Sequence, residues 1–222
     1  MKLLRIILIA VLLCPVPGSH LYCQEPDIRS VYLKSGLADD LPYRVFEMAM
    51  KGLSGISTVR NRQIITIIDY SKVSSAERFY VVDIANSRLL YKTLVAHGKN
   101  SGETEAEHFS NSSGSEESCL GFFLTAETYN GKNGYSLSLD GLEPGINDNA
   151  RKRAIVIHGA DYVSRSFIKK YGRLGRSWGC PALPDSISKE IIDKISNGTC
   201  LFVYGDDPEY FKNSRILNDK HK

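Results

Sequence analysis

Residues 153–184 read RAIVIHGADYVSRSFIKKYGRLGRSWGCPALP. The apolar run from Ala154 to Ile157 predicts a buried strand that delivers His158 at its end, and a glycine follows at once. Between His158 and Cys180 there is room for a short helix and a loop that returns the thiol to the imidazole. The helix is expected over Asp161 to Tyr171, with Val163, Phe167 and Ile168 on one side. Cysteine attacks acyl carbons as the thiolate; a neighbouring histidine lowers the thiol pKa and later donates a proton to the leaving group. The segment GRSWGC, Gly175 to Cys180, carries glycines where a backbone turns sharply or approaches a ligand, which aims the amides of Gly179 and Cys180 at a developing oxyanion. The competing reading is a buried cysteine and a strand-end histidine that never meet.

Outward from this stretch the elements are predominantly strands. Downstream, Asp185 or Ser186 is expected to cap a helix through Ile195 that Gly198 closes, and Thr199 to Tyr204 reads as a last buried strand. Upstream, Leu41, Val45, Met48, Ala49 and Leu53 recur at helical spacing, with Gly52 and Gly55 as the stop. Gln63 to Tyr70 is a β-branched run; Phe79 to Ile84 and Arg88 to Val95 flank a turn at Asn86 and Ser87, and the second arm leads to His97-Gly98. Leu120 to Tyr129 and Tyr135 to Leu139 form a second hairpin. The balance predicts a mainly β, mainly antiparallel fold with a few helices. Residues 24–40 read as an irregular lead-in, and residues 206–222 as a charged surface tail. The polar stretch 98–118 is too long for a tight connection, which marks it as mobile or functional.

With 222 residues, 42% hydrophobic and 24% charged, the chain suits one domain with a real core. Lys2 and Arg5 precede an apolar run from Ile6 to Cys14 that Pro15 and Pro17 break, the layout of a secretory signal and too short for a membrane span. Residues 1–23 are therefore expected to be removed on export to a periplasm or cell envelope, and membrane contact is expected only through this signal. Residues 24–60 then hold the lead-in and helix, 61–205 the main domain. Losing Lys2 and Arg5 brings the formal charge of +3 close to neutrality. No polybasic block or arginine stripe with interleaved aromatics calls for nucleic acid. Arg151-Lys152-Arg153 reads as a solvated turn. Cys119, Cys180 and Cys200 remain beyond residue 23: an odd count that fits one free thiol, with a Cys119–Cys200 disulfide and two buried free thiols both open.

The His-Gly at a strand end followed by Ser-x-Gly-Cys resembles the signature of the L,D-transpeptidases (YkuD-like), bacterial cysteine enzymes that remodel peptidoglycan. Gly175 to Ala182, GRSWGCPA, resembles most the murein L,D-transpeptidase catalytic domain branch. The likeness extends through His97-Gly98, Phe109-Ser110-Asn111, Leu120-Gly121-Phe122, Gly134 to Leu137, Asn147 and Arg153, covering most of residues 80–205. Two positions depart from the better-studied branch: Trp178 stands where histidine is common, and Pro181-Ala182 replaces a polar or arginine-bearing tail. The resemblance implies a β-sandwich catalytic domain that needs no cofactor and whose partners are peptidoglycan stem peptides. It implies Cys180 as nucleophile, His158 as base, and the Gly179 region as oxyanion site. It further implies a backbone carbonyl that orients the imidazole, with those of Ser177 and Trp178 as candidates. Arg176 either binds a stem-peptide carboxylate or braces its loop. Asn111 and Tyr162 are further candidate substrate contacts. Trp178 either walls the site or packs against the sheet.

Two other classes compete. A metal hydrolase would use His97, His108 and His158 with an acidic residue, but these histidines lack i, i+4 spacing and Cys180 would have no role. A wall-binding module would keep the fold without turnover, a reading that Trp178 and Pro181 leave open.

Overall fold

The structure, a computed structural model, describes residues 27–219; the segment read as an export signal lies outside them. Eight strands form one mixed sheet. They are β1 (Ile64–Asp69), β2 (Phe79–Asp83), β3 (Arg88–Thr93), β4 (Gly121–Gly131), β5 (Gly134–Gly141), β6 (Val156–Ala160), β7 (Ala182–Pro184) and β8 (Cys200–Tyr204), in the order β3-β2-β1-β8-β4-β5-β6-β7. The two strands that read as continuous apolar runs, β1 and β8, are buried on both faces and pair in parallel at the middle of the sheet. Every other pair but β6·β7 is antiparallel. The chain leaving β3 bridges back to the opposite edge at Ala96↔Ala182. This contact curls the sheet toward a barrel, so its two edges come together immediately beside the Cys180 segment.

Six α-helices accompany the sheet among the described residues: α1 (Ile28–Lys34), α2 (Tyr43–Gly55), α3 (Arg165–Tyr171), α4 (Asp185–Ile195), α5 (Pro208–Asn213) and α6 (Arg215–Asn218). The predicted irregular lead-in is in part α1, whose N-terminal amides are accepted by the Asp27 carboxylate and whose Val31 and Tyr32 are buried against α2. α2 does not stop at Gly52. The ring of Phe122 occupies the space a Cβ would need there, 2.0 Å away, so Gly52 lets the helix settle on the sheet rather than ending it. α3 is shorter than expected because Ser164 caps it, accepting from the Phe167 amide, and Val163 is buried ahead of it. α4 starts as expected, but neither Asp185 nor Ser186 caps it: Pro184 occupies that position without a side-chain acceptor.

The tail is not a free surface segment. α5 and α6 dock Tyr210 and Ser214 onto Glu143, a buried carboxylate that also accepts from the Phe122 amide at 2.8 Å. Cys119 and Cys200 are both buried free thiols, which decides against the disulfide.

Candidate active site

β6 and β7 run in parallel with His158 opposite Ala182. Cys180, two residues ahead of Ala182, therefore arrives beside the start of β6, where the Val156 amide donates to its Sγ at 3.5 Å. The expected strand start at Ala154 is instead a left-handed residue, φ 55°, a conformation that costs a residue with a side chain about 1 kcal/mol. It turns the Ala154 carbonyl to within 3.6 Å of the Cys180 thiol. His158 sits at the third position of β6 rather than at its end. Its Nδ1 lies 2.7 Å from the carbonyl of Gly159. A carbonyl only accepts, so Nδ1 carries the proton and Nε2 keeps the lone pair. Gly159 is required here because a side chain would run into Asp185 Oδ1 at 2.5 Å and Ser188 Oγ at 2.6 Å.

Ser177 organises the turn before Cys180. Its hydroxyl donates to the Cys180 carbonyl at 2.6 Å and accepts from the Gly179 amide at 3.1 Å. Its own amide reaches the His97 carbonyl at 3.0 Å, while its carbonyl takes the Lys99 amide at 2.7 Å. Two expectations change in consequence. The imidazole is oriented by Gly159, since the Ser177 carbonyl is committed to Lys99. The Gly179 amide is committed to Ser177, whereas the Cys180 amide has no acceptor among the described residues and is free to donate into the cleft. Gly179 itself, φ 116°, is held between the Glu117 carbonyl and the Arg153 guanidinium, 2.8 Å and 3.3 Å from where a Cβ would stand.

Cys180 and His158, 8% and 6% exposed, line one cleft of about 420 Å³ with Ser177, Tyr162, Arg176 and Trp178. Burial pushes the Cys180 thiol above its ordinary value, against smaller opposing pulls from the Val156 amide, Arg153 and Lys132. It likewise pulls His158 below 6.5, opposed by the Gly159 carbonyl and Asp185. Burial thus disfavours the charged form of both groups, which opposes a preformed thiolate–imidazolium pair at rest.

The profile of the L,D-transpeptidase catalytic domain matches residues 37–204. This chain belongs to that family. Among solved structures, an L,D-transpeptidase from Mycobacterium smegmatis is similar at 13% identity, with 64% of this chain and 59% of that one covered and a TM-score of 0.40. A helical cell shape determining protein from Campylobacter jejuni is similar at 15% identity, covering 72% and 56%, TM-score 0.44. An L,D-transpeptidase from Stackebrandtia nassauensis is similar at 15% identity, covering 82% and 77%, TM-score 0.39. No curated protein matches by sequence.

Within this L,D-transpeptidase domain the remaining candidates separate into wall and brace. Trp178 does not pack against the sheet: it is 69% exposed at the rim of the cleft, with the Lys132 ammonium 5.2 Å from its ring. Tyr162 lines the cleft and packs on Gly175. Arg176 lines it too, but its guanidinium is engaged with the Lys99 and Gly102 carbonyls and with Glu103 at 2.9 Å, so bracing is its role in this structure. Asn111 lies outside the cleft, tying the long loop to Asp148 and Asn149. The metal-hydrolase reading loses its ligands. His97 is fully buried with Nδ1 2.7 Å from Arg78 and Nε2 3.2 Å from the Gly102 carbonyl, while His108 lies exposed outside the cleft. No grouping of three metal-ligating side chains occurs among the described residues.

Three contributors escape the sequence. Lys132 and Asn133, at the β4–β5 turn, overhang the cleft. Arg153 is no solvated turn residue: it donates to the carbonyls of Ser110 and Glu117, to Ser115 Oγ and to Cys119 Sγ, fastening the 98–118 loop beneath Gly179. The loop is thus pinned, not loose. The only prior signal was Arg153 within the family likeness.

Proposed function

We propose that this domain is a peptidoglycan-remodelling cysteine acyltransferase, an L,D-transpeptidase or L,D-carboxypeptidase, acting on stem tetrapeptides in the cell envelope. The observation that carries this reading is the meeting of Cys180 and His158 in one cleft, with Nδ1 fixed on Gly159 and Nε2 available as base. Nε2 takes the thiol proton as Sγ bonds to the peptide carbonyl carbon, and the oxyanion develops against the Cys180 amide. The C–N bond then breaks, the leaving D-amino acid takes the proton from the imidazolium, and a thioester remains on Cys180. An incoming amine, or water, gives up a proton to Nε2 as it bonds to the thioester carbon; the C–S bond then breaks and that proton returns to Sγ, so that an amine yields a cross-link and water a trimmed stem. The export-signal layout of residues 1–23 supports the cell envelope as the place of action.

The test is incubation of purified protein with a disaccharide tetrapeptide, with products read by mass and a Cys180→Ala variant as control. Loss of the terminal D-alanine, or formation of a cross-linked dimer, is expected from the wild type and neither from the variant. An unchanged substrate, or turnover that survives in a folded Cys180→Ala protein, removes the proposal.

A further inference from the structure

Cys180 and His158 share a cleft, yet among the described residues no hydrogen bond joins the thiol to the imidazole. The sulfur instead meets the main chain at the entry to β6, accepting from the Val156 amide at 3.5 Å and donating to the Ala154 carbonyl at 3.6 Å. A carbonyl only accepts, so the thiol proton points at Ala154 and away from Nε2.

The way the chain enters β6 explains why that carbonyl faces the sulfur. The Ile155 amide donates to the Ala150 carbonyl at 2.9 Å and the Ala154 amide to the Arg151 carbonyl at 3.0 Å. Paired bonds of this kind close a helical turn on a left-handed residue, a place where glycine is usual. Here alanine takes it, with φ 55°. Strain of this sort persists where the surroundings over-determine it, and it gathers at reacting sites. The surroundings do so on both sides: Arg153 is fastened to Ser110, Ser115, Glu117 and Cys119, and Ile155 is buried. Ala154 itself is exposed, so its side chain is not what holds the turn. The carbonyl is thus fixed in a direction that only the thiol uses.

Resting on the acyltransferase reading, we infer that Ala154 is a positioning residue whose carbonyl latches the Cys180 thiol in its protonated form, and that the sulfur is released only when His158 Nε2 takes the proton during attack on a bound acyl donor. The latch regulates the site: a stray electrophile or oxidant meets a held thiol, not a thiolate. A hydrogen bond to the neutral form of a titrating group disfavours its charged form, and the negative end of the carbonyl dipole opposes charge on the sulfur. The other titratable or charged groups around Cys180 are Arg153, Lys132, Tyr70, Cys119, Tyr162 and His158. A change of backbone preference at residue 154 leaves all of them in place.

The experiment has two arms and uses variants chosen by their tolerance of a left-handed backbone. Glycine adopts it freely, asparagine accepts it, and a β-branched residue is driven out of it. In the first arm, Cys180 is alkylated with iodoacetamide from neutral to alkaline pH, and peptide mapping follows it apart from Cys119 and Cys200. The inflection of the rate reads the thiol pKa, and the alkaline plateau reads access to the sulfur. Ala154→Gly and Ala154→Asn are expected to keep the wild-type inflection. Ala154→Val is expected to lower it by about half to one pH unit, which speeds alkylation near neutrality about three- to tenfold, with a plateau no higher than in the wild type. Ala154→Thr, equally β-branched, carries the same test if Ala154→Val does not fold. An inflection that stays in the β-branched variant overturns the latch. So does one that falls together with a raised plateau, which reports solvent entering the cleft, or one that falls equally in Ala154→Gly and Ala154→Asn.

In the second arm, the alkaline limb of kcat/KM on a disaccharide tetrapeptide is compared across the same proteins. That limb follows loss of the thiol proton, so it is expected to move down with the alkylation inflection in Ala154→Val and to stay in Ala154→Gly. A limb that stays while the inflection moves overturns the release step. An inflection that moves in a protein that turns over no stem peptide keeps the latch and removes the acyltransferase reading.

Discussion

The Arg78 guanidinium donates to His97 Nδ1 at 2.7 Å in a core where neither side chain has any solvent exposure. Arg78 also reaches the Val95 carbonyl through Nε and Nη2 and the Lys72 carbonyl through Nη1, and lies 4.9 Å from the centroid of the Tyr70 ring. No carboxylate among the described residues touches it; Asp69 helps only at longer range, and burial pulls the group down to about 10. The charge is tolerated because four of its five N–H donors meet an oxygen or a nitrogen lone pair and its face lies over the Tyr70 ring. The pair fixes the 95–98 segment, which holds both Ser177, through the His97 carbonyl, and Ala182, through Ala96.

The Arg78–His97 contact makes stability depend on acid. Burial, with the Arg78 charge second, holds His97 down to about 4 from an ordinary 6.5. A base with a depressed folded pKa stays neutral in the fold while the unfolded chain takes up a proton. Its stabilisation is complete above pH 6.5 and lost as pH falls from 6.5 toward 4, a total of roughly 3 kcal/mol. Urea midpoints at pH 7.5 and 4.5 should show this loss in the wild type and much less of it in His97→Gln, whose amide can serve both neighbours. Arg78→Met, which orphans the Val95 and Lys72 carbonyls, should cost about 3 kcal/mol at pH 7.5 and less at pH 4.5, where loss of the Arg78 charge makes protonation of His97 easier. Parallel pH slopes in wild type and His97→Gln would contradict the assignment.

Much of this was legible in the chain and some was not, for physical reasons. β1 and β8 announce themselves because strands buried on both faces must be apolar at every position, and the meeting of His158 with Cys180 follows from one strand and one turn. β7 is three residues long, too short to show a period. α1 did leave a mark, Asp27 ahead of Ile28, Val31 and Tyr32, but seven residues carry little periodicity. Arg78 reads as a surface charge ahead of a strand, because the oxygens that satisfy it come from Val95 and Lys72, which only the folded sheet brings near. Lys132 reads as an ordinary turn lysine for the same reason: the register Ser136↔His158 places it over the cleft.

The C-terminal helices should matter more than a charged tail would. Glu143 accepts from the Phe122 amide, the Tyr210 hydroxyl and the Ser214 hydroxyl, while its own backbone amide donates to Asn147 Oδ1 at 2.9 Å. Ending the chain after Asp206 removes two of those donors and uncovers a carboxylate now sheltered at 2% exposure. A loss of about 2–4 kcal/mol is expected, read as a lower urea midpoint, with Ser214→Ala alone costing about 1 kcal/mol. An unchanged midpoint in the truncated protein would show that the docking contributes nothing.

Arg153 should govern the order of the 98–118 loop. Arg153→Ala deletes its donors to Ser110, Ser115, Glu117 and Cys119 together and opens space beneath Gly179. Amide exchange across residues 110–119 should accelerate at least tenfold, and Cys119, whose thiol burial pushes up to about 11, should become open to alkylation. On the proposed acyltransferase function, turnover should fall about tenfold through misplacement of Cys180. Exchange as slow as in the wild type would mean the loop is held by Asn111 and Ser118 without it.

The burial of both Cys180 and His158 makes a prediction opposite to that of a preformed ion pair. Burial raises the thiol above its ordinary 9.0 and lowers the imidazole below 6.5. On the proposed acyltransferase function, proton transfer then belongs to the attack itself, so kcat/KM is expected to need the imidazole unprotonated and the thiol protonated. The acid limb lies below pH 6.5, the alkaline limb above 9, and the plateau between them is broad. A bell of that kind cannot by itself separate the two protonation schemes, since each holds one proton on the pair. Alkylation separates them. With the thiol at rest, the rate of Cys180 reaction with iodoacetamide should climb about tenfold per pH unit through neutrality and keep climbing past pH 9, because it follows the thiolate fraction. Replacing His158 by Gln should change that alkylation profile by less than about threefold while lowering acyl transfer by a hundredfold or more, since only acyl transfer uses Nε2 to carry the proton. An alkylation rate that is flat from pH 5 to 8, and that collapses in His158→Gln, would establish the ion pair and overturn the neutral resting state.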